Sequence, residues 1–160
     1  MKIATHIAAR VGRLLVERGW TLGVAESCTG GLIGHCITNV PGSSAFFVGG
    51  VIAYANEAKR DVLKVSQHLL VEHGAVSREA ALAMADGIRE LLGTDIGIAA
   101  TGIAGPAGGT PAKPVGTTFV AVSSSRGHEV RHHLWSSDRG GNKRRSAEAA
   151  LKLLEEWLVR

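Results

Sequence analysis

Residues able to support nucleophilic catalysis lie close together in one segment, namely Ser43-Ser44, Tyr54 and Lys59. A serine attacks an amide carbonyl only when a base removes its proton, and a neutral lysine is that base in Ser-Lys variants of the catalytic triad. Tyr54 ends a predicted strand and Lys59 lies in the helix predicted after it, so both can face one cleft. The alternative is a solvated Lys59 with Tyr54 packed in the core.

Three glycine-bearing polar segments indicate where a ligand could bind: 26–31, 41–44 and 101–109. Two of them follow predicted strands, and α/β sheets bind ligands at the carboxyl ends of their strands. The segment Ser27-Cys28-Thr29-Gly30-Gly31 also begins a predicted helix, whose free N–H groups could hold a phosphate. One such loop alone would indicate only a sharp turn, but three in one small domain favour a ligand site.

The hydrophobic pattern predicts helices that alternate with strands, followed by a late hairpin. This order predicts one α/β domain over residues 1–160, a three-layer sandwich whose mixed, mostly parallel sheet has helices on both faces. The first predicted helix has its periodic apolar residues at 3–15 and stops at Gly19. The other predicted helices are about 29–38, 57–63, 66–72, Ser77–Leu92 with Ser77 as N-cap, and 142–159. The predicted strands are 21–25, 46–55, 95–101, 116–124 and 129–135.

The composition argues against nucleic-acid binding and against a membrane-spanning protein. The chain has 160 residues, a formal net charge of +4 and 4% aromatic residues, and its basic residues are scattered. A nucleic-acid groove is therefore not expected, whereas a phosphate on a small molecule would satisfy the charge. No apolar run approaches the roughly 20 residues of a membrane span. Cys28 and Cys36 have no zinc or disulfide spacing, so we expect reduced thiols and a cytoplasmic enzyme.

One motif, His128-Glu129-Val130-Arg131-His132, matches the zinc-protease pattern letter for letter. That motif binds zinc only on a helix, where residues four apart share one face. Here it lies in a predicted strand, where four residues span about 13 Å. We therefore predict no metal site at this motif.

Six motifs occur in an order that resembles the CinA C-terminal domain family, the nicotinamide-nucleotide amidases, over about residues 5–155. They are Ala25-Glu26-Ser27-Cys28-Thr29-Gly30-Gly31, Gly42-Ser43-Ser44, Tyr54-Ala55-Asn56-Glu57-Ala58-Lys59, Gly74-Ala75-Val76-Ser77, Gly102-Ile103-Ala104-Gly105-Pro106 with Gly108-Gly109, and Lys113-Pro114-Val115-Gly116-Thr117. The resemblance implies hydrolysis of nicotinamide mononucleotide to nicotinate mononucleotide and ammonia, with no metal or other cofactor.

The resemblance also implies roles for individual residues. It makes Ser44 the nucleophile and Lys59 the base, acting as a unit, with Tyr54 and Thr101 as supporting hydroxyls. The residues implied to surround the substrate are Ser27, Thr29, Gly30, Gly31, Ser43, Gly102 and Gly105, with Arg139 of the Asp138-Arg139 pair as the phosphate ligand.

Some alternatives stay open at this level. Ser27 competes with Ser44 as the nucleophile, since both lie in matching motifs. Gly140-Gly141-Asn142 departs from the family pattern, so Arg139, Arg144 and Arg145 all remain candidate phosphate ligands. A non-catalytic nucleotide-binding module is the alternative function. A homodimer is also expected, through Val130, Leu134, Trp135 and Trp157 on the hairpin and last helix.

Overall fold

The helices and strands form in the order that the hydrophobic pattern predicts. The computed structural model describes residues 2–160, without the side chain at position 3. The helices are α1 (Lys2–Arg18), α2 (Leu32–Thr38), α3 (Asn56–Asp61), α4 (Gln67–His73), α5 (Arg78–Leu92) and α6 (Arg139–Leu158). The strands are β1 (Leu22–Glu26), β2 (Phe47–Ile52), β3 (Ile96–Gly102), β4 (Thr117–Ser124) and β5 (Gly127–Leu134), and a 3₁₀ turn covers Ser43–Ala45.

The five strands form one mixed sheet in the order β2-β1-β3-β4-β5. Strand β1 pairs in parallel with β2 on one side and with β3 on the other. Strands β4 and β5 continue the sheet in antiparallel fashion. The carboxyl ends of β1, β2 and β3 therefore lie at the same edge, where α/β sheets bind ligands.

Helices cover both faces of the sheet, which confirms the predicted three-layer α/β sandwich. Buried residues of α1, α2 and α6 form one core cluster against β1, β3 and β4. The second cluster joins α4, α5 and the α3–α4 loop to the opposite face. Helix α5 approaches β3 closely because residue 97 is glycine: a Cβ there would lie 2.1 Å from the carbonyl oxygen of Ala85.

Several predicted helix boundaries are confirmed in detail. Gly19 follows α1 with a positive φ of 64°, the conformation that glycine adopts without a steric penalty. The Ser77 hydroxyl accepts a hydrogen bond from the Ala80 N–H at 3.1 Å and caps α5. Helix α6 begins three residues earlier than predicted, because the Asp138 side chain caps it by accepting from the Gly141 N–H at 2.6 Å.

The His128–His132 motif lies in β5, as predicted. The His132 ring stacks on Phe119 of the neighbouring strand, with ring centroids 4.6 Å apart. Among residues 2–160, no helix is long and apolar enough to cross a membrane.

Candidate active site at the carboxyl ends of the parallel strands

A polar cavity of about 170 Å³ opens where β1, β2 and β3 end. Its walls come from five segments that are distant in sequence but adjacent in the sheet. They are Ser27 and Cys28 after β1; Tyr54, Asn56 and Lys59 after β2; Ala75 and Val76 before α5; Thr101, Gly102 and Ala104 at the end of β3; and Arg139 at the start of α6. We call this cavity the cleft.

Lys59 and Ser27 make direct contact inside the cleft. The Lys59 Nζ lies 3.0 Å from the Ser27 Oγ, although the two residues are 32 positions apart. The same Nζ donates to the backbone carbonyls of Ala53 at 2.9 Å and Tyr54 at 3.0 Å. The structure therefore pairs the predicted base with the serine that follows β1.

Lys59 is buried without a counter-ion. Only 1% of its surface is exposed, and none of the ion pairs among residues 2–160 includes it. Burial lowers the pKa of Lys59 below the ordinary value of 10.5, because a desolvated ammonium is unfavourable. A neutral amine has two hydrogens, which match the two carbonyls, and one lone pair, which can accept the Ser27 proton.

The carboxylate of Glu26 holds the turn that carries Ser27. Glu26 is 3% exposed, and it accepts hydrogen bonds from the Thr29 hydroxyl and from the N–H groups of Gly31, Ile33 and Gly34. These N–H groups are the free donors at the start of α2. The prediction that they hold a phosphate is therefore wrong, because the chain's own carboxylate occupies them.

Free backbone donors lie beside the reactive pair. Among the described residues, the N–H groups of Cys28 and Ala104 donate to no other residue, and both residues line the cleft. An N–H directly after a nucleophilic serine is a usual oxyanion donor in strand–turn–helix hydrolase sites. The Cys28 thiol is itself a poor nucleophile, because burial raises its pKa to about 11.

The two expected supporting hydroxyls make other contacts. The Thr101 hydroxyl donates to the Ala75 carbonyl at 2.7 Å and so ties β3 to the loop before α5. The Tyr54 side chain is 61% exposed, and its hydroxyl accepts from Arg139 at 3.1 Å. Tyr54 contacts Lys59 through its backbone carbonyl only. In the part of the chain that the structure describes, neither hydroxyl contacts the Ser27–Lys59 pair.

Ser43 and Ser44 lie at the amino ends of the parallel strands, opposite the carboxyl ends where the cleft opens. Their 3₁₀ turn precedes β2, whereas Ser27 follows β1, and the two strands are parallel. The six residues of β2 extend for about 20 Å at a rise of roughly 3.3 Å per residue. The structure therefore contradicts the predicted Ser44–Lys59 contact within one chain, because this strand separates the two residues.

The start of α6 supplies positive charge at the cleft mouth. Arg139 donates to the Gly105 carbonyl at 2.6 Å as well as to Tyr54, and so bridges the mouth. Lys143, one helical turn further on, places its Nζ 3.4 Å from the Cβ position of Gly30. Arg144 and Arg145 line other surfaces, so of the three candidate arginines only Arg139 lines the cleft.

The departure from the family pattern at Gly140-Gly141-Asn142 has a structural reason. Asn142 is 1% exposed, donates to the Ala104 carbonyl at 3.0 Å and accepts from the Ser137 N–H at 3.1 Å. A Cβ at Gly141 would lie 2.0 Å from the Ser137 Oγ. These residues fasten the start of α6 to the loop after β3, and sequence patterns alone did not indicate Asn142 or Lys143.

These observations define a three-layer α/β domain with a buried Ser-Lys pair at the carboxyl edge of its sheet. The model of the CinA C-terminal domain matches residues 4–158. The chain belongs to this family, as the sequence motifs predicted.

Relatives and solved structures agree with this assignment. A CinA-like protein from Syntrophotalea carbinolica is 49% identical over 95% of this chain and 37% of its own length. One from Salinibacter ruber is 50% identical over 91% of this chain and 35% of its own length. The chain thus spans little more than a third of these relatives.

Among solved structures, a competence-damaged protein (CinA) superfamily protein from Klebsiella pneumoniae has a TM-score of 0.93 at 36% identity, with 98% of each chain covered. The competence/damage inducible protein CihA from Agrobacterium tumefaciens has a TM-score of 0.92 at 37% identity, covering 99% of this chain and 96% of its own. Both are similar along nearly their full lengths.

The buried lysine predicts a pH-dependent stability. Because the pKa of Lys59 is lowered by folding, the unfolded chain binds more protons between the folded-state pKa and 10.5, and stability should rise with pH across that window. Each unit of lowering corresponds to about 1.4 kcal/mol. Lys59→Met should therefore stabilise the protein most below the window, and progressively less as the pH rises through it.

Urea unfolding of wild type and Lys59→Met at a series of pH values measures this effect. Lys152→Met, at an exposed position on α6, is the matched control and should leave the pH dependence of stability unchanged. A Lys59→Met stability difference that is constant with pH would show that the buried ammonium carries no penalty.

Proposed function

We propose that this chain hydrolyses the carboxamide of nicotinamide mononucleotide to nicotinate mononucleotide and ammonia, with Ser27 as nucleophile and Lys59 as general base. The observation that carries the proposal is the 3.0 Å contact between the Lys59 Nζ and the Ser27 Oγ, since a buried lysine without a counter-ion is the base that a serine nucleophile requires. The family motifs support the substrate. The free thiols Cys28 and Cys36 fit a cytoplasmic location for this activity.

The first half of the reaction forms an acyl-enzyme. Neutral Lys59 takes the hydroxyl proton while the Ser27 Oγ attacks the carboxamide carbon, which gives a tetrahedral oxyanion. The free N–H groups of Cys28 and Ala104 are the candidate donors to that oxyanion. Protonated Lys59 then gives its proton to the leaving nitrogen, the C–N bond breaks, and ammonia departs from a nicotinoyl ester of Ser27.

The second half of the reaction uses water in place of serine. Lys59, neutral again, takes a proton from a water molecule that attacks the ester carbonyl. Collapse of the second tetrahedral species breaks the bond to the Ser27 Oγ, which recovers its proton from Lys59. One water is consumed, and the carboxylic acid that forms gives its proton to solvent. The products are therefore nicotinate mononucleotide and the ammonia released earlier.

Cavity size supports a substrate that extends beyond the cleft. The volume of about 170 Å³ is below the roughly 300–1,000 Å³ usual for small-molecule pockets. The carboxamide end enters this space, and the ribose phosphate then lies over the mouth, where Arg139 and Lys143 supply charge. Arginine and lysine are the residues best suited to a phosphate.

The direct test is ammonia release from nicotinamide mononucleotide by the purified chain. Because the proposed base is an amine and the nucleophile a hydroxyl, excess chelator should leave turnover unchanged. Loss of activity with chelator, restored by added zinc, would contradict the Ser-Lys mechanism. Binding of the nucleotide without ammonia release would favour a binding module instead.

A further inference from the structure

Lys59 is the single base among the described residues that line the cleft. The other polar side chains of this lining are hydroxyls, an amide, a thiol and the guanidinium of Arg139, with no imidazole or carboxylate. The Thr101 hydroxyl already donates to the Ala75 carbonyl, and burial raises the pKa of the Cys28 thiol to about 11. In both halves of the proposed hydrolysis, one amine therefore takes the proton from whichever group attacks the carbonyl carbon.

The contacts of Lys59 direct its lone pair at the reacting oxygen. Its Nζ donates to the carbonyls of Ala53 at 2.9 Å and Tyr54 at 3.0 Å, and it lies 3.0 Å from the Ser27 Oγ. A neutral amine held by two carbonyls has its lone pair left for the third direction. Once Ser27 is acylated, its Oγ has no proton to give, so the lone pair can accept a proton from the group that attacks the ester. Water is one such group, and a small amine is another.

The leaving step of the proposed reaction places a nitrogen beside Lys59. Protonated Lys59 gives a proton to the amide nitrogen, and ammonia departs from the ester of Ser27. By microscopic reversibility, neutral ammonia can return along the same path, attacking the ester carbon while Lys59 takes one of its protons. The position that the departing ammonia leaves is therefore also a position for an attacking amine.

The dimensions of the cleft limit which amines can attack. Its volume is about 170 Å³, and the acyl group occupies part of this space, in which one water takes up roughly 30 Å³. Arg139 spans the mouth through hydrogen bonds to the Gly105 carbonyl and the Tyr54 hydroxyl. A protonated amine has no lone pair for the attack, and it would lose solvation beside the apolar side chains of Ala75 and Val76, which line the cleft. The attacking amine must therefore be uncharged and only a few atoms in size.

We propose that this chain also transfers the acyl group from Ser27 to small uncharged amines, with ammonia and hydroxylamine among them. The transfer rests on the proposed function, because it uses the same ester of Ser27. With hydroxylamine, the nitrogen attacks the ester carbon and Lys59 takes one N–H proton. The tetrahedral species then collapses, the bond to the Ser27 Oγ breaks, and Lys59 returns the proton to that oxygen. The product is the hydroxamate of nicotinate mononucleotide, with the serine restored and no water consumed.

Hydroxylamine tests this transfer directly. When the purified chain turns over nicotinamide mononucleotide with increasing hydroxylamine, mass spectrometry should detect the hydroxamate. The ratio of hydroxamate to nicotinate mononucleotide should rise in proportion to the hydroxylamine concentration, while ammonia release is not lowered, because both products come from one ester. Ser27→Ala should form neither product. Ser125→Ala, at an exposed position in the turn between β4 and β5, is the matched control and should give the wild-type ratio.

Two outcomes separate this transfer from the hydrolysis on which it rests. Ammonia release with no hydroxamate at any hydroxylamine concentration would overturn the transfer and leave the hydrolysis standing. A chain that produces neither ammonia nor hydroxamate would overturn both.

Isotopically labelled ammonia tests the transfer without a foreign nucleophile. Nicotinamide mononucleotide recovered partway through hydrolysis should contain labelled amide nitrogen, and the labelled fraction should increase with pH as ammonium loses its proton. Recovered substrate that stays unlabelled at every ammonia concentration would overturn transfer to ammonia.

Amines of matched reactivity and different size test the limit that the cleft sets. O-methylhydroxylamine should give the corresponding hydroxamate ester, whereas O-benzylhydroxylamine, which attacks through the same type of nitrogen, should give little, because its ring does not fit beside the acyl group. Equal yields from the two amines would show that the attack does not take place within the cleft, and would overturn the proposal.

Discussion

Ser27→Ala should lower kcat for nicotinamide mononucleotide hydrolysis by at least about a thousandfold, and Lys59→Met should do the same, since removing one member of a nucleophile–base pair disables the whole unit. Both variants should still bind the nucleotide, because neither side chain is the proposed phosphate ligand. Steady-state ammonia release and equilibrium nucleotide binding measure the two effects separately.

The double variant distinguishes a reactive pair from two independent contributions. Because Ser27 and Lys59 serve one proton transfer, the double variant should be little worse than either single variant. Ser44→Ala is the matched serine control and should keep kcat within a fewfold of wild type. If Ser44→Ala is inactive while Ser27→Ala turns over normally, the nucleophile assignment is wrong.

Lys143→Ala should lower kcat/KM for nicotinamide mononucleotide by about tenfold or more, because a charge-assisted hydrogen bond contributes roughly 1.5–3 kcal/mol. Lys143 makes no hydrogen bond or ion pair within residues 2–160, so its removal should leave the fold intact. Arg139→Ala should have a similar effect but also loses the bridges to Tyr54 and Gly105.

The phosphate-free substrate isolates this contact. Nicotinamide riboside should be hydrolysed poorly by wild type, and Lys143→Ala should not reduce that activity further. Arg145→Ala, in a different groove, is the matched control and should behave as wild type on both substrates. Equal losses on both substrates in Lys143→Ala would show that Lys143 does not read the phosphate.

Elements with strong local signals could be predicted from sequence. Hydrophobic periodicity predicted the helices on both sheet faces, Ser77 predicted the start of α5, and Gly19 predicted the end of α1. The boundary of α6 was missed because Asp138, which caps it, lies before the Gly140-Gly141 pair, and glycines reduce the helical signal. A helix boundary can be predicted from sequence when the residue at that boundary is of a type that commonly occupies the position, as serine is at an N-cap.

The partners within the site depend on strand order, which the local sequence pattern does not show. Ser44 is 15 residues from Lys59 and Ser27 is 32 residues away, so proximity in sequence favours the wrong serine. The parallel pairing of β1 with β2 reverses this preference, since it aligns the end of β1 with the segment leading to Lys59. The four hydrogen bonds that Glu26 accepts could not be predicted from the sequence either, because a charged residue at the end of a strand is usually solvated.

The buried Glu26 carboxylate also bears on how the product would leave. In the proposed reaction the carboxamide of the substrate is neutral, whereas the carboxylate of the product is anionic and forms beside Ser27, next in sequence to Glu26. The field of Glu26 already reaches this wall of the cleft, since it contributes to the raised pKa of Cys28. Once Lys59 has lost its proton, two like charges share a region of low dielectric, where repulsion is strong. The proposed hydrolysis would therefore turn a neutral ligand group into an anion that Glu26 repels. The same carboxylate that holds the serine turn would then speed release of nicotinate mononucleotide.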